Sequence, residues 1–474
     1  MKLTMIAGLT ALALAGCAAG PDYVKPDTAP LTPAAFPSSA GDGTALDTSA
    51  PPAGWWRQFE DPQLDALVEQ AWRGNYDLRI AMARLQIAAE QLTATKSAGL
   101  PSLGVDAGVA RKHSAKVERS DGDPVITSPA KVSAFIDWEL DLFGRVRRSV
   151  EAARAGYEQQ QALRDDVRRT LLAQVVIAYA EFRSAQDEAA CLKQQLENYG
   201  QALELVRERE RVGKALAVDR IRVETKLGLL AARAPGIAAR QRVARNHLAT
   251  LSGLKLDAPE VLALEAPHPL RLPATLAVDD PAAMLRRRPD VAAAERNLAA
   301  ATAQQGVAVA ELFPRVSLSG MFGLVAPAGS LHGADARAWQ VGGALSWTLL
   351  DGGALRARVR AAGAGAQIAL AGYEKTVAGA LEEADSALSD WRQFRARDVQ
   401  LTSVYELARE TARLTRLRYR NGAESVLGLL DAEYAVLTVE EQLIGVHRDI
   451  AVATARSYVA LAGGLDGGGK STAN

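Results

Sequence analysis

Lys131-Val132-Ser133-Ala134-Phe135-Ile136-Asp137-Trp138-Glu139-Leu140-Asp141-Leu142 alternates residue by residue. Val132, Ala134, Ile136, Trp138, Leu140 and Leu142 share one face. Lys131, Ser133, Asp137, Glu139 and Asp141 share the other, and Phe135 is the one break. A period of two is a strand with one apolar side, and about 10 residues is the length of a tilted membrane strand. Three more stretches read the same way. Leu103, Val105, Ala107 and Val109 oppose Gly104, Asp106, Gly108 and Ala110; Val316, Leu318 and Phe322 oppose Ser317 and Ser319. Trp339, Val341, Leu345, Trp347 and Leu349 oppose Gln340, Ala344, Ser346 and Thr348. The strands are predicted at ~102–112, ~131–142, ~315–325 and ~338–349. His113 to Ala130 and Ala326 to Ala338 read as exposed hairpin loops. Trp138, Trp339 and Trp347 fall near strand ends, where an aromatic girdle belongs.

The strands come in two pairs because the chain repeats itself. Asn75-Tyr76-Asp77-Leu78 and Arg288-Pro289-Asp290-Val291 each open a helical run, ending at Leu100-Pro101 and Phe313-Pro314. The offset is about 213 residues. Downstream, Arg211-Val212-Gly213 answers Arg420-Asn421-Gly422, and Leu251-Ser252-Gly253 answers Leu461-Ala462-Gly463. Two similar halves are expected, residues 55–260 and 261–465, with a disordered tail at 466–474.

Between the strands the chain is helical. Ala, Leu, Arg, Glu and Gln are abundant while aromatics are only 5%, the composition of long helices. From Val146 to Arg211 there is no Pro and only Gly156 and Gly200. Leu192, Leu196, Tyr199, Leu203 and Val206 step by four and three, a coiled-coil rhythm. After the Val212-Gly213-Lys214 turn a second run heads for Leu251, interrupted at Pro235-Gly236. In the second copy Val404, Leu407, Thr411 and Leu414 precede the turn. Leu429, Val436, Leu443 and Ile450 follow it every seventh residue, beside Leu430, Leu437 and Ile444. Two adjacent stripes let one helix contact neighbours on both sides. A run of about 65 residues reaches on the order of 100 Å, enough to span a gap.

The N-terminus reads as an export signal over residues 1–16, with Lys2 before the apolar Ile6 to Leu14. Leu14-Ala15-Gly16-Cys17 resembles the lipobox of bacterial lipoproteins, which implies cleavage before Cys17 and acylation of its sulfur and amine. Ala18, rather than Asp, follows the cysteine, and by that resemblance implies the outer membrane. Residues 17–54, rich in Pro, Ala, Ser, Thr and Gly, read as an extended acylated tether. Structure is expected to begin at Trp55-Trp56, as packing residues. Cys191, the only other cysteine, is expected as a small helix-packing residue without a disulfide.

Charge balances at 55 basic and 55 acidic residues, so no global field recruits nucleic acid. No later apolar run reaches the roughly 20 residues of a spanning helix. His113, His247, His268, His332 and His447 show no metal-ligand spacing. Gly363-Ala364-Gly365 lies in a helical run and Val212-Gly213-Lys214-Ala215 lacks the rest of a phosphate loop. Arg286-Arg287-Arg288 reads as a solvated face or local carboxylate partner. No enzyme, metal or cofactor is expected beyond the lipid on Cys17.

Cys17 with Gly20-Pro21-Asp22-Tyr23, Trp55-Trp56, Arg288-Pro289-Asp290-Val291, Phe313-Pro314 and Leu350-Asp351-Gly352-Gly353 resembles the TolC-like outer-membrane factor family, in its NodT-type lipoprotein branch. Tyr419-Arg420-Asn421-Gly422 with Leu429-Leu430-Asp431-Ala432 completes the match. The resemblance implies a mostly α fold with a small antiparallel β part: a homotrimer sharing a 12-stranded transmembrane barrel, four strands each, above a periplasmic helical barrel. Residue counting agrees, since four strands enclose no lumen and open edges are not left in lipid. The implied work is passive export of drug-like solutes, received through a periplasmic adaptor from an inner-membrane transporter of the resistance-nodulation-division (RND) class. Type I secretion, heavy-metal efflux and a periplasmic coiled-coil structural lipoprotein are the alternatives.

By the same resemblance, Arg211, Gly213, Lys214, Asn421 and Gly422 are adaptor-docking tips. Tyr419, Arg420, Glu424 and Asp431 are aperture candidates. A further acid that some members carry one turn before Asp431 is replaced by Gly428. Three symmetry-related carboxylates at a constriction favour cations or hold a gate through Arg pairs. The alternative for Glu424 and Asp431 is solvated helix surface.

Overall fold

A computed structural model describes residues 18–39, 46–114, 125–265, 270–327 and 334–464. Cys17 and the expected signal and tail lie outside the described residues. The first copy comprises β1 (Leu46–Asp47), α1 (Pro62–Gly74), α2 (Tyr76–Ser97), β2 (Ser102–Val109), β3 (Lys112–Ser114), β4 (Val125–Thr127), β5 (Pro129–Leu140), α3 (Arg145–Arg211), α4 (Ala217–Ala231) and α5 (Ala234–Leu251). After a short α6 (Pro259–Leu262), the second comprises β6 (Leu276–Ala277), α7 (Pro281–Arg287), α8 (Pro289–Ala310), β7 (Arg315–Pro327), β8 (Arg337–Ser346), α9 (Ala354–Arg420) and α10 (Val426–Ala460). Two compact units result, and neither follows the repeat boundary. One takes Met1–Pro26, Ala83–Gln161 and Ala293–Lys375; the other takes Asp27–Met82, Ala162–Ala292 and Thr376–Asn474. Each draws on both copies, because α3 and α9 run through both.

The first unit holds an antiparallel sheet in the order β2-β5-β7-β8. Its register lines up Leu103, Ile136, Gly320 and Val341, and in the next rank Val105, Ala134, Phe322 and Trp339. That face is therefore apolar except for Arg337 at its end, and it is uncovered: Val105, Phe322, Trp339 and Val341 are all exposed. The opposite face carries Asp106, Lys131, Asp137, Ser317, Ser319 and Gln340, with Lys131 3.5 Å from Asp106. Phe135 breaks the alternation because its ring lies across Gly104; a Cβ there would sit 2.3 Å from its Cζ. At the helix ends of the strands the two copies repeat one contact. Trp138 Nε1 donates to the Gly99 carbonyl at 3.1 Å, and Trp347 Nε1 to that of Leu312 at 3.0 Å.

The strand bounds differ from expectation at their ends. β5 stops at Leu140 and Asp141 instead caps α3, accepting from the Val146 and Arg147 amides at 3.0 and 2.9 Å. β8 stops at Ser346, and Asp351 caps α9 through Gly353 at 2.8 Å. The first expected loop carries ladder of its own, since β3 and β4 pair Lys112 with Thr127 and Ser114 with Val125. Residues 115–124 and 328–333 of the two loops lie outside the described residues.

The second unit is helical, and the heptad stripes make its core. Leu429, Val436, Leu443 and Ile450 are buried, as are Leu192, Tyr199, Leu203 and Val206. Cys191 packs among them, its thiol pushed up by burial and then by Glu440. The expected interruption falls at Ala232–Arg233, between α4 and α5, so that Pro235 sits in the first turn of α5, where its missing N–H costs nothing. Trp55 is fully buried, stacked on Tyr458 at 5.1 Å and edge-on to Trp56.

The two copies also close alike. Asn75 accepts from the Leu78 amide and donates to the Leu251 carbonyl at 2.9 Å. Arg288 donates to the Ala460 carbonyl at 2.8 Å and pairs with Asp290 and Glu383 at 2.7 and 2.6 Å. Two members of the arginine run are thus local carboxylate partners, with Arg287 on Asp279 at 2.5 Å, while Arg286 is exposed. Burial raises the Asp290 carboxyl, but Arg288 outweighs it and holds the group below its ordinary value. Leu251-Ser252-Gly253 is a close approach, since a Cβ on Gly253 would lie 2.2 Å from the Gly74 oxygen.

The extended tether expected over residues 17–54 is docked at several points among its described residues. Within the second unit Phe36 is buried, Ser38 N–H donates to Asp385 at 2.8 Å, and β1 pairs in parallel with β6. Polar, Pro-rich composition satisfies backbone groups through side chains as well as through solvent, so it did not reveal docking.

Candidate functional site at the helix tips

α3 and α9 end on the same geometry. Gly213 and Gly422 adopt φ of 72° and 78°. Lys214 N–H reaches the Arg209 carbonyl at 2.7 Å and Gly213 N–H that of Glu210 at 3.0 Å; Ala423 and Gly422 do the same to Arg418 and Tyr419 at 2.9 and 3.0 Å. These are paired Schellman bonds, which satisfy carbonyls a helix end leaves open, with glycine where L side chains are strained. The return helices start on side-chain caps. Leu216 N–H donates to Asp219 at 3.3 Å, and Ser425 Oγ accepts from Gly428 N–H at 3.0 Å.

Arg209 ties the tips together, and sequence reasoning missed it. Its guanidinium lies 4.2 Å from the Tyr419 ring centroid. Its Nη2 donates to the Tyr419 and Arg420 carbonyls at 2.5 and 3.3 Å. A cation here meets the negative end of α9 and the face of an aromatic ring at once. Tyr419 is 3% exposed and packs with Val206, Val223, Val426 and Leu430. Burial raises its phenol above the ordinary value, with Arg209 opposing. Arg209 sits in a run of charges from Arg207 to Arg211, and nothing in one dimension separates it from its neighbours.

The acids are placed differently from one another. Glu424 accepts from Ser425 N–H at 3.1 Å, lies 3.6 Å from Arg418, and folds over Gly428, where a Cβ would meet its Oε1 at 2.7 Å. Gly428 makes room for this carboxylate. Asp431 is exposed on α10. Glu433, which the sequence did not single out, is buried and takes two bonds from Arg416 at 3.0 and 2.5 Å. Burial, then Glu433 and Asp431, pushes the nearby Tyr199 phenol up to about 12. Arg211, Lys214, Arg420 and Asn421 are all exposed. Along the hairpin, Glu224 is held between Arg207 and Arg220 at 3.0 and 2.8 Å; those hydrogen bonds lower its pKa. Two tight turns are locked to each other and present a charged outer surface.

The sequence profile of the family "Outer membrane efflux protein" matches residues 67–254 and 281–463. The chain belongs to that family. It is similar to Nodulation protein T of Rhizobium leguminosarum bv. trifolii, 30% identical over 440 residues and 91% of each chain. It is also 30% identical to the outer membrane protein OprJ of Pseudomonas aeruginosa over 468 residues, 97% of this chain and 95% of that one. The solved outer-membrane channel OprN is 37% identical, with a TM-score of 0.88 over 94% of this chain and 99% of its own. An outer membrane efflux protein of TolC-like fold explains the bare apolar face of the sheet, since it lies in the outer membrane and its sheet faces lipid. Its role is that of an outer-membrane efflux channel.

Proposed function

We propose that the chain is the exit duct of a tripartite pump. It works as a homotrimer that takes small apolar or drug-like solutes from a periplasmic adaptor and an inner-membrane RND-type transporter and conducts them passively outward. The observation that carries this is the sheet. Four strands apolar on one face, with β2 and β8 as its outer strands, cannot stay open in lipid, and three copies give twelve strands in one closed wall. The stripe on α9 points the same way: Val404, Leu407 and Leu414 are exposed in the single chain, as helices awaiting neighbours are. The names of relatives support the solute class, among them a toluene efflux pump outer membrane protein and an antibiotic efflux pump outer membrane protein of Pseudomonas putida. The reading includes a signal peptide over 1–16 and acyl chains on Cys17, and it includes no enzymatic step and no cofactor. The tips of α3 and α9 are the adaptor's docking surface. Detergent-extracted protein is expected to run as a trimer and to give stepwise conductance in planar bilayers. Monomers without conductance would defeat the proposal.

A further inference from the structure

The residues after Cys17 are fastened to the first unit by a site no channel function requires. Ala19 N–H donates to the Phe143 carbonyl at 3.0 Å, where the chain leaves β5 for α3. Arg148, with only 5% of its side chain exposed, donates Nε to the Ala19 carbonyl at 3.2 Å and Nη2 to the Gly20 carbonyl at 3.3 Å. It pairs with Asp22 at 2.6 Å and Glu151 at 2.8 Å. Three glycines clear the path. A Cβ on Gly20 would lie 2.5 Å from Gly306 Cα, one on Gly306 2.9 Å from the Arg148 stem, and one on Gly144 2.8 Å from Ala18 Cα. Further along, Tyr23 donates to Glu295 at 2.8 Å and Lys25 pairs with it at 3.1 Å. Arg296 closes over the Tyr23 ring. A buried guanidinium is costly unless paired, and here most of its partners belong to the N-terminal segment.

We infer that Ala18–Lys25 is a strap that Arg148 locks to the foot of the β-sheet, so that the anchored end of the chain and the membrane strands enter the bilayer in a fixed relation. Arg148 is a positioning residue: it acts through the strap it holds. The strap explains why Gly20-Pro21-Asp22-Tyr23 stands so soon after the cysteine. Cys17 is one peptide bond from Ala18, so an undocked strap leaves the acyl chains attached but free of the sheet. The inference rests on the lipoprotein reading for the anchor and on the contacts above for the strap.

The test uses full-length protein in outer membranes, comparing wild type with Arg148→Gln, Asp22→Asn and Cys17→Ser. Mass analysis of the N-terminal peptide reports acylation, chymotryptic cleavage after Tyr23 reports docking, and the fraction of folded trimer reports assembly. Arg148→Gln is expected to keep its acyl chains, to be cleaved after Tyr23 at least about tenfold faster, and to drop to the trimer yield of Cys17→Ser. Cys17→Ser is expected to keep the strap protected. Asp22 is 88% exposed, so Asp22→Asn keeps the body intact and tests docking if Arg148→Gln does not fold. Equal cleavage rates would overturn the strap. Faster cleavage with wild-type trimer yield would overturn its positioning role. A wild-type peptide without acyl chains would instead defeat the lipoprotein reading.

Discussion

At the scale of single residues, the tips divide into groups that hold and groups that face solvent. Arg209→Ala removes two charge-assisted bonds, a class worth about 1.5–3 kcal/mol, and a ring contact worth about 0.5–2 kcal/mol. It is expected to raise single-channel conductance several-fold with the trimer intact. Unchanged conductance would mean the tips are held by other contacts. Glu424→Ala is expected to do less, because its carboxylate serves its own turn and only a long pair to Arg418. The two tight turns were legible because Gly at a helix end has one geometric use. Arg209 and Glu433 were not, because a single contact between two helices, whether to carbonyls and a ring or to an arginine, leaves no periodic trace. Acid sensitivity follows from Asp290. Its folded pKa lies below the usual 3.8, so its stabilisation is full above the unfolded value and is lost as pH falls through the depressed one. Thermal stability should therefore hold flat from pH 7 to about 5. It should fall below the ordinary carboxylate range, less steeply in Asp290→Asn; identical profiles for the two proteins would remove Asp290 from the account.

At the scale of elements, period and punctuation carried most of the fold. All four long strands and both 67-residue helices stood in the sequence, because a half-exposed strand and a long two-sided helix have periods that nothing else imitates. β1 with β6 and the short β3 with β4 did not, since two or three residues cannot show a period. Phe135 was visible only as an exception, and pairing explained it: the ring needs the bare backbone of Gly104. Gly104→Val suits a strand by propensity, yet it evicts the ring. It is expected to lower the melting temperature of the folded barrel, and Phe135→Ala is expected to restore most of the loss. Additive losses in the double variant would mean that the two residues do not share a space.

At the scale of the molecule, what one chain leaves uncovered says what it lacks. The core stripe of α10 is sealed inside its own unit, whereas the α9 stripe is bare, with Leu407 67% exposed and Val404 46%. Both stripes obey the same heptad rule, so sequence alone could not tell a seam within the chain from one between chains. Covering a leucine is worth about 1.5–3 kcal/mol, and in the proposed homotrimer that gain would recur at three seams. Leu407→Glu should therefore shift detergent-solubilised protein from trimer towards monomer in sedimentation, while its helical content by circular dichroism stays unchanged. Leu437→Glu, aimed at a fully buried position of α10, should instead lose helix and trimer together. If Leu407→Glu sediments as the wild-type trimer does, α9 faces solvent in the assembled channel, and the seams between copies run along other helices.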